Sequence, residues 1–148
     1  MRISVAADSL DGVARDIPRL LTDRGDEVTV YGALVAGVTE GDPEAVWSAC
    51  ARRAALDVAE GRADQAIVAC WTGTGASIAA NKVPGVRAAL CTDAATAAGA
   101  RRWNDANALA LSLRLTSPQV LAEILDAWFD AAPSPDPADR AAIAALEA

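Results

Sequence analysis

Apolar and polar positions follow two rhythms along this chain. Five short runs carry the β-favouring pattern of strands: RISVAA (Arg2–Ala7), EVTVYG (Glu27–Gly32), QAIVAC (Gln65–Cys70), VRAALC (Val86–Cys91) and ALALSL (Ala108–Leu113). Between them the apolar residues recur at helical spacing. Strands alternating with helices predict βαβ units, and therefore an α/β fold around a five-stranded parallel sheet.

The helix boundaries are marked by turn and capping residues. Asp16 reads as an N-cap, with Pro18 in the first turn and Gly25 as the stop, which leaves Ser9–Arg15 as a loop or irregular turn. An alanine-rich helix is expected from about Pro43 to Glu60, ended by Gly61. A shorter one covers Ala95–Asn104. Ser117 caps another, with Pro118 at its first position and Val120, Leu121, Ile124, Leu125, Trp128 and Phe129 along its apolar stripe. Trp47 and Trp128 fall within helical patterns and read as packing residues. From about residue 133 a proline-stiffened linker leads to a final helix, about Asp139–Glu147.

Composition narrows the function classes. A chain of 148 residues suits one domain. No apolar run approaches the roughly 20 residues of a membrane span, and the N-terminus lacks the pattern of a signal peptide. A cytoplasmic protein is expected. The net charge of -7, with one lysine and scattered arginines, argues against a nucleic-acid surface. Cys50, Cys70 and Cys91 are odd in number and far apart, and no histidine exists to join them. Neither a disulfide framework, a metal site nor a cofactor motif is indicated. Cys50 and Cys91 read as core residues. The lack of histidine also removes every His-based triad and the commonest general base.

In parallel α/β sheets ligands bind beyond the carboxyl ends of the strands. There the stretch CWTGTGASIAANK, Cys70–Lys82, holds a cysteine, two glycines and the start of a helix. Gly73 and Gly75 permit a tight turn and close backbone approach, and the amides leading to Ser77 could hold an oxyanion. A P-loop is excluded because Lys82 has neither the preceding glycine nor the following Ser or Thr. The turn after the first strand lacks a dinucleotide fingerprint.

This stretch, followed by WNDANALAL, resembles the ribose-5-phosphate isomerase B and galactose-6-phosphate isomerase family. The family carries a Cys-Gly-Thr-Gly-x-Gly loop, then Ser-Ile-Ala-Ala-Asn-Lys, then His-Asn-Asp-Ala-Asn. RISVAAD, ALDVAEGRAD and ILDAW extend the likeness through nearly the whole chain. The resemblance implies a three-layer Rossmann-like sandwich, a homodimer with sites between subunits, and aldose–ketose isomerisation through an enediolate. It further implies Cys70 as the proton-transferring base and Thr72 beside the ring oxygen. Gly73, Thr74 and Gly75 would form the enediolate-holding loop, and Asp8, Arg101 and Asn104 would contact substrate.

The departures fall at the site. The family's Asp-His is Asp8-Ser9 here, its His-Asn-Asp is Trp103-Asn104-Asp105, and the glycine after the loop cysteine is Trp71. Ala76 stands where another branch has a glutamate base. The C-terminal phosphate-binding arginines are reduced to Arg140. Trp71 and Trp103 could form pocket walls or pack in a core or interface. Cys70 could be a base or a small residue closing a strand. Asp8 could contact a ligand or cap a turn.

Three functions fit. The first is an isomerase acting on a sugar-like carbonyl compound other than ribose 5-phosphate. The second is the same enolising chemistry ending in epimerisation or dehydration. The third is a non-catalytic pseudo-isomerase that binds a ligand.

Overall fold

The computed structural model describes all 148 residues. In chain order its elements are β1 (Arg2–Ala7), α1 (Asp16–Asp23), β2 (Glu27–Gly32), α2 (Trp47–Ala59), β3 (Gln65–Cys70) and α3 (Thr74–Asn81). There follow β4 (Ala88–Leu90), α4 (Ala94–Asn104), β5 (Ala108–Ser112), α5 (Pro118–Asp130) and α6 (Pro137–Leu146). The five strands form one parallel sheet in the order β2-β1-β3-β5-β4. The chain winds outward from β1 to β2, then returns past β1 to β3. A topological switch point therefore lies between β1 and β3.

Strand alternation sorts large and small residues onto opposite faces. On β5, Leu109 and Leu111 face α1, α4 and α5 with Ile3, Ile17, Leu21, Ile67, Leu121, Ile124 and Trp128. Ala108 and Ala110 point the other way, toward α2 and α3, into a core built mostly of alanine. The Trp128 indole, fully buried, donates to Gln65 Oε1 at 2.7 Å, so its one polar atom is satisfied.

Four boundaries differ from the sequence expectation. The helix expected from Pro43 is a 3-10 turn, Pro43–Ala45, broken from α2 by Val46 in an extended conformation. Asp16 is not a cap. The chain enters α1 from an irregular turn, in which Asp16 N and Ile17 N already donate to Val13 O, and the Asp16 carboxylate pairs with Arg19 instead. β4 is shorter than VRAALC because Val86 N donates back to Val83 O in a turn. Its outer edge is met by the Asn81 side chain, which donates to Ala88 O (2.9 Å) and accepts from Ala88 N (2.8 Å). The last helix starts at Pro137, two residues early, because Asp136 rather than a later residue caps it.

Asp57 on α2 ties that layer to the sheet. It is 3% exposed and accepts from Ser4 Oγ (2.6 Å), Tyr31 Oη (2.7 Å) and Arg62 Nε (2.8 Å). Burial alone would push its carboxyl up, but the three donors outweigh that and hold it below the ordinary carboxylate value. The stabilisation is therefore present above the unfolded pKa and is lost as pH falls through the lower folded one. We predict that Asp57→Ala lowers stability by about 3 kcal/mol, since buried donors are left without an acceptor. Urea melts at pH 7 check this. The gap between variant and wild type should narrow on acidification toward pH 3.

Candidate active site

Register places two ionisable side chains together across the switch point. Ala7 of β1 pairs with Ala69 of β3, so Asp8, the residue just past β1, and Cys70, the last of β3, follow side by side from strands about 4.8 Å apart. Alternation puts both on the α2/α3 side, where Ala6, Val68 and Cys70 belong to one core. Cys70 is 6% exposed. Asp8 Oδ1 is buried without a hydrogen-bond partner. Burial pushes its carboxyl above the ordinary range, and Glu40 and Asp11 add to the push.

The loop after Cys70 is shaped by glycine at two points. Gly73 has φ 77°, and a Cβ there would lie 2.8 Å from the Leu111 carbonyl carbon and 2.6 Å from Leu90 Cδ1. Only glycine fits both the conformation and the space. Gly73 is also the N-cap of α3 and offers no side chain, whereas Asp93 and Ser117 cap α4 and α5. Ser77 N makes an α-helical bond to Gly73 O (3.0 Å), which leaves the preceding first-turn amides without helical acceptors. They point, with the positive end of the helix dipole, toward an incoming oxyanion. The Thr72 and Thr74 hydroxyls lie 2.7 Å apart beside them.

Gly75 matters for a second reason. A Cβ on it would meet Trp47 Cε3 at 2.9 Å, so the indole lies directly over the first turn of α3. The break at Val46 sets Trp47 at the start of α2. Trp47 is thus a packing residue as expected, but a half-exposed one at the rim of the site.

Other expected site residues have partners of their own within this chain. Ser9 Oγ is turned to Asp11 Oδ2 (3.0 Å) and accepts from Asp11 N, closing the turn after β1. Trp71 is 53% exposed beside the loop, and its carbonyl accepts from Ser112 Oγ and Arg114 N. Arg101 points inward: it donates to Asp105 Oδ1 (3.1 Å) and Ala106 O and lies 5.6 Å from the Trp128 ring. The Trp103 ring is folded back over Gly99, where an added Cβ would be 2.8 Å from it. Trp103 and Asn104 line a groove of about 1140 Å³ along β4 with Leu90, Arg87 and Leu146. They end α4, an 11-residue helix, and so sit about 14 to 15 Å below its start, toward the amino ends of the strands. One chain does not bring them to Cys70.

Arg114 was not singled out from the sequence. It lies two residues past the end of β5, its backbone is bonded to Trp71, and its side chain is exposed and forms no ion pair. Its place just past a strand's carboxyl end was the available signal. Cys50 and Cys91 are core residues as expected; burial pushes both thiols up to about 12, with Asp8 adding to the effect at Cys50. No helix is long and apolar enough to cross a membrane. No group of three or more His, Cys, Asp or Glu side chains is placed to hold a metal ion.

The model of the family described as Ribose/Galactose Isomerase matches residues 5–144. The chain belongs to that family. It is 35% identical over 135 residues to a D-erythrulose-4-phosphate isomerase of Pectobacterium atrosepticum, covering 88% of this chain and 84% of the relative. It is 38% identical over 111 residues to ribose-5-phosphate isomerase B of Escherichia coli, covering 75% and 70%. A solved ribose-5-phosphate isomerase B from Clostridium thermocellum superposes with a TM-score of 0.85 at 34% identity, covering 99% of this chain and 95% of the other. The three-layer Rossmann-like sandwich expected from the Cys70–Lys82 stretch is thus the family fold.

Proposed function

We propose that this member of the ribose/galactose isomerase family interconverts an aldose and a ketose by moving a proton between adjacent carbons through an enediolate. The observation that carries the reading is the juxtaposition of Cys70 with the unpartnered Asp8 carboxyl, beside an uncapped helix start. In its thiolate form Cys70 takes the proton from carbon. Negative charge then grows on the carbonyl oxygen, and fixed amides at the start of α3 stabilise it without reorganising. Asp8 gives that oxygen a proton and recovers one from the neighbouring hydroxyl, while the Cys70 thiol delivers its proton to the adjacent carbon, so both groups end in their starting states. Arg114, free of ion pairs, suits the anionic end of a sugar phosphate.

The active unit in this reading is a homodimer in a reducing compartment such as the cytoplasm, where three free thiols persist. Trp103 and Asn104 reach a Cys70 loop only across a subunit boundary. The substrate's size stays open, because relatives are named for both four- and five-carbon phosphates.

The test is NMR in D₂O against a panel of phosphorylated and free aldoses and ketoses, with light scattering on the same sample. Deuterium uptake at the carbon beside the carbonyl, together with aldose–ketose interconversion, is the expected result. Loss of water to a dicarbonyl would make the enzyme a lyase. Ligand binding with no exchange on any panel member would make it a binding protein. A monomer at micromolar concentration would remove the shared site.

A further inference from the structure

We propose that the Trp47 indole stands where the side chain of residue 75 would be and keeps water off the open amides at the start of α3, so that it acts as a positioning residue for the developing oxyanion. The inference rests on the isomerase reading above. It follows from a glycine whose backbone does not require glycine.

Gly73 and Gly75 look alike in the motif and differ in the fold. Gly73 is left-handed, whereas the φ of Gly75 lies outside that region and within a regular helix. Alanine would take the same backbone and favour the helix, because glycine is the poorest helix former after proline. What excludes alanine is Trp47. A Cβ on Gly75 would lie 2.9 Å from Cε3, 3.1 Å from Cδ2 and 3.2 Å from Cζ3, so the six-membered ring of the indole fills the space a side chain would need. On an α-helix that space leans toward the N-terminus. The ring therefore covers the first turn of α3 from outside, beside the amides that have no helical acceptor.

Helix packing holds the indole in this place. α2 and α3 share one core of small residues, with Ala51, Ala54 and Ala55 on the first and Ala76, Ala79 and Ala80 on the second, and both run back from the carboxyl edge of the sheet. Their first turns thus lie side by side. Val46 O accepts from Ala49 N (2.9 Å) and Cys50 N (3.0 Å), and Ala45 and Cys50 are buried to either side, which fixes the point from which the ring projects. The effect on chemistry is electrostatic. Interactions between charges grow about fourfold as the effective dielectric falls from about 80 to about 20, so an oxyanion draws more from fixed amide dipoles when water is kept away. A neutral carbonyl draws far less. The shield therefore favours the enediolate over the bound substrate, and that difference sets the rate.

The experiment is a double-mutant cycle on Trp47→Ala and Gly75→Ala, with Trp47→Phe as the conservative variant. Deuterium uptake at C2 of D-erythrose 4-phosphate and of D-ribose 5-phosphate is followed well below the melting temperature of each protein. Trp47→Ala should lower kcat about tenfold, short of the loss of about 10² to 10³ when an oxyanion donor is deleted outright, and leave KM within about threefold. Trp47→Phe should recover most of that loss. Gly75→Ala should slow the wild type by a similar factor, because its methyl must displace the ring. In the Trp47→Ala protein the same methyl should cause no further loss and should raise the melting temperature. An equal loss from Gly75→Ala in both backgrounds would set the methyl against the substrate and overturn the inference. Unchanged kcat in a folded Trp47→Ala protein, or a rise in KM alone, would overturn it too, and in each of these cases the isomerase reading stands. Should Trp47→Ala fail to fold, Gly75→Ala decides: unchanged kcat defeats the inference, and a lower kcat at constant KM, relieved by Trp47→Phe in the same chain, upholds it. If the wild type melts cooperatively and exchanges with neither sugar phosphate, the inference and the isomerase reading fall together.

Discussion

Cys70→Ala is expected to slow deuterium uptake beside the substrate carbonyl by about 10²- to 10⁴-fold, the range for loss of a general base. Cys70 is the thiol at the carboxyl end of the central strand β3, next to the open first turn of α3. Histidine is absent from the chain and the helix carries Ala76 where a carboxylate base could have stood. Cys70 is a small buried side chain, so alanine fits its space and the fold should survive with a modest loss of stability. Cys70→Ser gives a second reading, since it keeps the volume and replaces the thiol by a far weaker base. Exchange rate and thermal melts are measured on all three proteins. Undiminished exchange in a folded Cys70→Ala protein would exclude the thiol and move the role to Asp8.

Asp8→Asn should pull activity and stability in opposite directions. Asparagine keeps the shape but cannot pass a proton, so exchange should again fall by about 10²-fold or more. The folded protein, however, bears a cost for burying this carboxyl. Burial, reinforced by Glu40 and Asp11, raises the Asp8 carboxyl above its unfolded value. A raised acid binds its proton more tightly in the folded state, so its stabilising effect is complete below the unfolded pKa and disappears as pH rises through the folded one. At pH 7, well above the unfolded value, folding bears the cost of this site, and asparagine removes it. The melting temperature of the variant should therefore exceed that of wild type at neutral pH, and the advantage should vanish near pH 3.5. A variant less stable than wild type at pH 7 would show that Asp8 serves the fold rather than the chemistry.

Much of this was legible in the sequence wherever one residue's neighbours along the chain decide its conformation. β1, β2 and β3 begin and end where the apolar pattern does, and Ser117-Pro118 starts α5 as its cap requires. What could not be read was set by residues far apart. Ser4, Tyr31 and Asp57 converge only after three elements have packed, and nothing in their local sequence announces it. The helix expected from Pro43 breaks at Val46, and the break brings Trp47 onto Gly75, a contact across 28 positions. At the site the loop was visible as a motif, yet the pairing of Asp8 with Cys70 depends on strand register, which the pattern of β1 and β3 does not specify. Arg101 reads as a ligand contact from its motif, and in the fold one of its terminal nitrogens donates to Asp105 and Ala106 while its buried Nε has no partner, an arrangement no local pattern announces.

The alanine-built side of the sheet bears on how this protein could acquire new specificity. Alanine has no rotamers to adjust, so α2 and α3 rest on β3 and β5 with almost no slack. Enlarging any of Ala51, Ala54, Ala76, Ala80 or Ala110 would have to move a whole helix, and with α2 goes Trp47, and with α3 the amides over the site. The opposite face, with its leucines and isoleucines, can exchange one shape for another at smaller cost. Evolution of this pocket is therefore channelled. Changes of substrate must come from the strand-end loops, at positions such as Trp71, Glu40 and Arg114, because the platform beneath them admits scarcely any variation.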